Sequence, residues 1–175
     1  MSVTRLIKTG MVFTIALFFS IVALNNILDF NSDFLFVQHV LSMDTTFHAE
    51  SLMGRAITHP SMHKYAYELI IAWEAMTAVV CWIGACRLFF NIRQSAQVFN
   101  QSRAIAYTGL FFGFLLYMVG FIIIGGEWFC MWQSKIWNGQ TAAGMFVSLI
   151  LFVMIFLQHN EENSGADIRV SNTGG

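Results

Sequence analysis

The chain has 175 residues, 57% of them hydrophobic and 11% charged, with 18 phenylalanines and one proline. A soluble domain carries about 25% charged residues, so there is too little charge to cover a water-facing surface, which excludes an ordinary soluble enzyme and a disordered segment. The formal net charge of −1 offers no electrostatic footprint for DNA or RNA, so nucleic acid is excluded as a partner.

Charged residues divide the chain into four apolar windows: Lys8 to Asp29, Lys64 to Arg87 (interrupted by Glu68 and Glu74), Arg103 to Glu127, and Lys135 to Glu161. A spanning helix needs about 20 mostly apolar residues; each window holds one and none holds two. The expected fold class is all-α, a polytopic membrane protein with a four-transmembrane-helix, up-down-up-down bundle. It is one membrane domain over 1–160, with helices over about 8–28, 61–87, 103–126 and 138–159. The polar tail 161–175 is expected to be disordered and cytoplasmic.

Arg5 to Lys8 followed by Met11 to Leu24 is patterned like a signal peptide, but the apolar run is long for one and no Ala-x-Ala site follows, so an anchor is expected. Ala16, Ser20, Ala23 and Asn26 fall on one face of this first helix. In the first loop, Asn31, Ser32 and Asp33 supply capping side chains. Phe34, Val37, Val40 and Leu41 then share a face, which predicts a short extracytoplasmic helix in loop 1. Thr58-His59-Pro60 signals a second helix start near Ser61, because proline suits the first turn.

Small and polar residues gather on single faces in the later windows too. The second carries Glu74, Thr77, Ala78, Cys81, Gly84 and Ala85; the third carries Ala106, Gly109, Gly113, Tyr117 and Gly120; the fourth carries Thr141, Gly144 and Ser148. Membrane helices associate through close backbone approach and hydrogen bonds, which small residues permit. All four faces are therefore expected to point inward.

The third loop packs Trp128, Phe129, Trp132 and Trp137 among Glu127, Gln133, Ser134, Lys135, Asn138 and Gln140. Tryptophan settles at the membrane–water boundary because its ring is apolar and its N–H seeks a partner. The loop reads as an aromatic belt. The sharper reading is an extracytoplasmic cap of Asp44, Glu127, Trp128, Trp132, Trp137 and Asn138, docked against the first loop, with Glu127 or Asp44 meeting a partner or ligand.

His59 and His63, four apart, are weak candidates for metal, since a zinc site needs further ligands. Cys81, Cys86 and Cys130 form no Cys-x-x-Cys, and no Gly-rich phosphate loop, Gly-x-Ser-x-Gly or His-Glu-x-x-His is present. No catalytic residue and no cofactor is implied, and the reading leans away from an enzyme. Arg5, Lys8, Arg87, Arg93, Arg103 and Arg169 fall on one side of the four spans, and Arg55, Lys64 and Lys135 on the other. The excess predicts a multi-pass inner-membrane protein with both termini cytoplasmic.

The segments Leu41-Ser42-Met43-Asp44-Thr45, Trp73-Glu74-Ala75 and Gly125-Gly126-Glu127-Trp128-Phe129 resemble the predicted small integral membrane proteins grouped as DUF2165. Met131-Trp132-Gln133-Ser134 and Trp137-Asn138-Gly139-Gln140 extend the resemblance, which spans roughly Arg5 to Gln158. It implies a prokaryotic four-helix membrane protein and carries over no catalytic residue.

Two function classes follow. The first is a non-catalytic accessory or scaffold subunit of a larger membrane assembly, with the lipid bilayer, a membrane-protein partner or further copies of the chain as its partners. The second is a small proton-coupled transporter or channel-like oligomer using Glu74, because an intramembrane acid is a functional-site hypothesis by default. Counting about 1.5 Å per residue from Arg87 and Arg103 puts Glu74 level with Tyr117, with Asn26 one to two turns nearer the outside. A polar cluster of Glu74, Tyr117 and Asn26 is expected. A lone ionised carboxylate is costly there, so a Glu74–Tyr117 hydrogen bond to the neutral acid is the structural expectation.

Overall fold

Each apolar window forms a helix because in lipid only the chain itself can satisfy its backbone N–H and C=O groups. A computed structural model describes residues 2–161; of the tail expected to be disordered, Glu161 is a correction, being held by Lys8 and Asn100, and the rest falls outside that range. The helices are α1 (Val3–Leu28), α2 (Phe30–Ser42), α3 (Glu50–Met53), α4 (Pro60–Phe90), α5 (Ala96–Ser102), α6 (Ala104–Leu115) and α7 (Gln140–Gln158). Four segments are long and apolar enough to cross a membrane: α1, α4, the run Ala96–Trp128, and α7. Among the described residues all regular structure is helical.

Loop 1 contains the expected short helix, α2, and α4 starts with Pro60 in its first turn, where Ser61 N–H donates to the His59 ring at 3.3 Å. The third span departs from a regular α-helix. From Leu116 to Trp128 its ladder widens to the π-helical i→i+5 pattern, ending with Phe129 N–H donating to Ile124 O at 3.0 Å. Such geometry is ordinarily a single-turn bulge. Gly120, Gly125 and Gly126 lie within this one, and a Cβ on Gly126 would run into the Gln140 side-chain amide.

α4 is the central helix, packed against α1 on one side and α6 on the other. The small residues make this possible. A Cβ on Gly84 would lie 2.6 Å from Ala106 Cα, and one on Gly109 would lie 2.6 Å from Cys81 Sγ. Trp82 Nε1–H donates to Ser20 Oγ at 2.9 Å and Trp73 Nε1–H donates to Phe112 O at 3.0 Å, tying α4 to both neighbours. The inward faces expected for the first three spans are those seen, with Ala16, Asn26, Glu74, Cys81, Ala106 and Tyr117 all buried.

The fourth stripe is a correction. α7 buries Ala143, Val147, Ile150, Val153 and Leu157 instead, while Thr141 and Ser148 are exposed and a Cβ on Gly144 would meet nothing within 4 Å. Ala143 and four branched aliphatics pack against the bundle, and Ser148 is satisfied within its own helix by donating to Gly144 O at 2.8 Å.

At the end of the bundle where the described chain begins and ends, three cations are buried: Arg5, Lys8 and Arg103. Lys8 Nζ lies 2.7 Å from Glu161 Oε1 and also donates to His159 O. Arg103 donates to Leu157 O at 2.6 Å, His159 O at 2.9 Å and Asn160 Oδ1 at 2.7 Å, closing the C-terminal carbonyls of α7. Arg5 donates to Ile92 O at 3.2 Å and Gln94 O at 2.6 Å. These basic residues are therefore part of the packing and not loose flanks of the spans.

Candidate functional site

Midway along α4, the Glu74 side chain points into the bundle, 3% exposed. Asn26 Nδ2–H donates to Glu74 Oε2 at 2.8 Å, and the Tyr67 hydroxyl donates to Asn26 O at 3.4 Å. The expected bond from Tyr117 is a correction: the described residues show none to Glu74. Asn26 reaches it because the basic anchors are not level. α4 runs past Arg87 to Phe90, and Arg5 grips carbonyls beyond that end, so counting from the basic residues exaggerated the offset between α1 and α4.

Tyr117 instead borders the same space. A cavity of about 190 Å³ is lined by Glu74, Asn26, Tyr67, Tyr117 and the exposed Asp33 of α2, together with apolar side chains. The three residues expected to cluster, Glu74, Tyr117 and Asn26, do share one cavity. Tyr67 and Asp33 were missed. Tyr67 was findable, because seven residues on one helix return to the same face; the approach of Asp33 depends on how α2 folds back and has no local signal.

Below Glu74, towards Arg87, Thr77, Cys81 and Phe19 are fully buried between α1, α4 and α6, so the cavity is closed on that side. Beside it lies a groove of about 430 Å³ with an almost wholly apolar lining, including Val40, Leu69, Trp73 and the π-helical Val119, Gly120 and Ile124.

The cap residues occupy the opposite end from Arg5, Lys8 and Arg103. His39 stacks on Trp137 with centroids 4.7 Å apart and bonds Asp44 Oδ2 at 2.7 Å. Arg55 lies 4.6 Å above the Trp128 ring, and Phe47 packs edge-on against Trp132 at 5.9 Å. Thr45 Oγ1–H donates to Ser134 Oγ at 2.9 Å, and Phe47 N–H donates to Gln133 Oε1 at 2.9 Å. Loop 1 and loop 3 are thus joined through Trp128, Trp132 and Trp137, whereas Asp44 pairs with His39 within loop 1. Glu127 and Asn138 act more locally: Gln140 donates to Glu127 Oε1 at 3.4 Å through its amide, and to Asn138 Oδ1 at 3.1 Å through its backbone N–H.

His59 accepts the Ser61 N–H, and His63 Nε2 lies 2.6 Å from Ile57 O, so both rings are held by nearby backbone. Among the described residues there is no group of three or more His, Cys, Asp or Glu suited to a metal.

Four apolar spans, an intramembrane polar cluster and an aromatic cap define a small integral membrane protein lying in a lipid bilayer. The family model DUF2165, described as a predicted small integral membrane protein, matches residues 4–160, and the chain belongs to that family. Comparison with curated proteins finds no match, and comparison with solved structures finds none.

Proposed function

We propose that the protein is a non-catalytic accessory or scaffold subunit that docks on a larger inner-membrane assembly through the outward face of α7. The observation that carries this reading is the row Thr141, Gly144 and Ser148, which the bundle leaves unused. Only 22% of the α7 span is buried, against 28%, 33% and 39% for the others. Lipid tails are as apolar as leucine, so a row of small residues facing lipid adds nothing to insertion, whereas it lets a second helix approach closely. Purification in a mild detergent followed by mass spectrometry is expected to recover a stoichiometric partner, and Gly144→Leu to lose that partner while the folded subunit is retained. A self-contained protein indifferent to Gly144→Leu overturns the reading.

The basic residues support an orientation with both termini in the cytoplasm. Reporters fused near Gln97 are then expected inside and those near Lys135 outside; the reverse pattern inverts the proposal.

A second reading is favoured by one observation, the cavity beside Glu74 with Asp33 at its margin. In it Glu74 takes up and releases protons as part of a small transporter, with oligomerisation supplying the path that the closed inner end of one protomer lacks. Glu74→Gln retains size and hydrogen bonding and removes ionisation, so it separates this role from a structural one.

A further inference from the structure

The cavity at Glu74 has a composition that the accessory reading does not use. Six of its lining residues are aromatic: Phe18, Phe36, Tyr67, Tyr117, Phe121 and Phe146. Five of them form an unbroken arc. Phe18 meets Phe146 at 4.9 Å, Phe146 meets Tyr117 at 4.9 Å, Tyr117 meets Phe121 at 5.6 Å, and Phe121 meets Phe36 at 6.0 Å. Tyr67 and the Glu74–Asn26 pair contribute to the same lining.

Two carboxylates, Glu74 and Asp33, line this space, and none of the described residues lining it is basic. The Glu74 carboxylate has a neutral amide as its hydrogen-bond partner, and a buried charge without a counter-charge is costly. The Tyr117 hydroxyl, on a side chain 5% exposed, has no hydrogen-bond partner among the described residues and belongs to the cavity wall. Aromatic faces attract cations, most strongly where water is excluded, and rings grouped around a small space recognise alkylated ammonium groups. The volume, about 190 Å³, is below the roughly 300–1,000 Å³ of a drug-sized site, so the occupant is compact.

We propose that this cavity is a binding site for a small alkylated ammonium cation, held by the aromatic arc with Glu74 as its counter-charge and Asp33 at the margin. The location is that of the second reading above, but binding does not require transport, and the test reads binding alone. The same chemistry is carried by a free ammonium and by a lipid headgroup, so both are offered.

The test is equilibrium dialysis of radiolabelled choline against the purified full chain in maltoside micelles, which carry no charge of their own. Choline is expected to bind saturably, and its uncharged isostere 3,3-dimethylbutan-1-ol to compete at least tenfold more weakly. Lysophosphatidylcholine distinguishes the sources: stronger competition than choline assigns the site to a headgroup, and weaker competition to a free cation. Glu74→Gln, which retains the bond to Asn26, is expected to weaken choline at least tenfold, and Val37→Phe to fill the cavity and lower the bound fraction. Absence of saturable choline binding, or equal competition by the neutral isostere, overturns the proposal on the unaltered protein, whatever the variants do. A folded Glu74→Gln protein that binds choline as before overturns the role of Glu74 and with it the site.

Discussion

Glu161→Ala is expected to destabilise the bundle by about 3–5 kcal/mol, the range for breaking a buried ion pair by removing one partner. Glu161 faces two buried cations, with Lys8 Nζ at 2.7 Å and Arg5 Nε at 3.7 Å. Lys8 is 1% exposed, and Arg5 Nε has no hydrogen-bond partner. Removing the carboxylate leaves Lys8 with the His159 carbonyl and Arg5 with the carbonyls of Ile92 and Gln94. The backbone at 161 stays in place through its reciprocal bonds with Asn100, both 3.1 Å, so the substitution removes charge without releasing the chain. Thermal unfolding in maltoside micelles, read as loss of the monodisperse folded species, measures the effect. Lys8→Met added to Glu161→Ala should recover part of the loss, because the two act through one contact and are not additive. An unchanged midpoint for Glu161→Ala would mean that water, and not Glu161, satisfies Lys8.

This clasp also marks a limit of reading the chain by composition. Arg5, Lys8 and Arg103 have the positions of cations that flank spans, and nothing local distinguishes a flank from a residue folded under the bundle to close the end of α7. The four spans were legible because lipid imposes a length on every apolar run. The short α2 was legible from the Phe34, Val37, Val40 and Leu41 face; its start was not, since the helix begins at Phe30 with no side-chain cap bond and Asn31, Ser32 and Asp33 lie within its first turn. The facing of α7 was not, because Thr141, Gly144 and Ser148 are spaced as an inward row would be, and which row turns inward depends on the shapes of the other helices. The widened ladder from Leu116 to Trp128 has glycines as its local trace, and glycines also serve close packing. At the candidate site, depth counting brought Glu74 and Tyr117 to one level; the side-chain partner, Asn26, required the real offset between α1 and α4.

Gly109→Leu is expected to cost about 3 kcal/mol, the upper part of the range for forcing extra methylenes into a packed core. The reason lies in what the new side chain would meet. Its Cβ alone falls 2.6 Å from Cys81 Sγ, 2.8 Å from Cys81 N and 3.1 Å from Cys81 Cα. Two of those three atoms are backbone, so no rotamer change relieves the clash, and α6 must move away from α4. At Gly113 the first atoms met belong to the Phe19 ring, which has somewhat more freedom to move. At Gly144 nothing lies within 4 Å, and Gly144→Leu should leave the unfolding midpoint unchanged, which makes it the matched control. Separation of α6 from α4 also strains the Trp73–Phe112 bond and shifts the floor beneath Glu74, so choline binding should fall together with stability. Gly109→Leu unfolding at the same midpoint as Gly144→Leu would refute the close α4–α6 seam and remove the closed floor on which the Glu74 cavity depends.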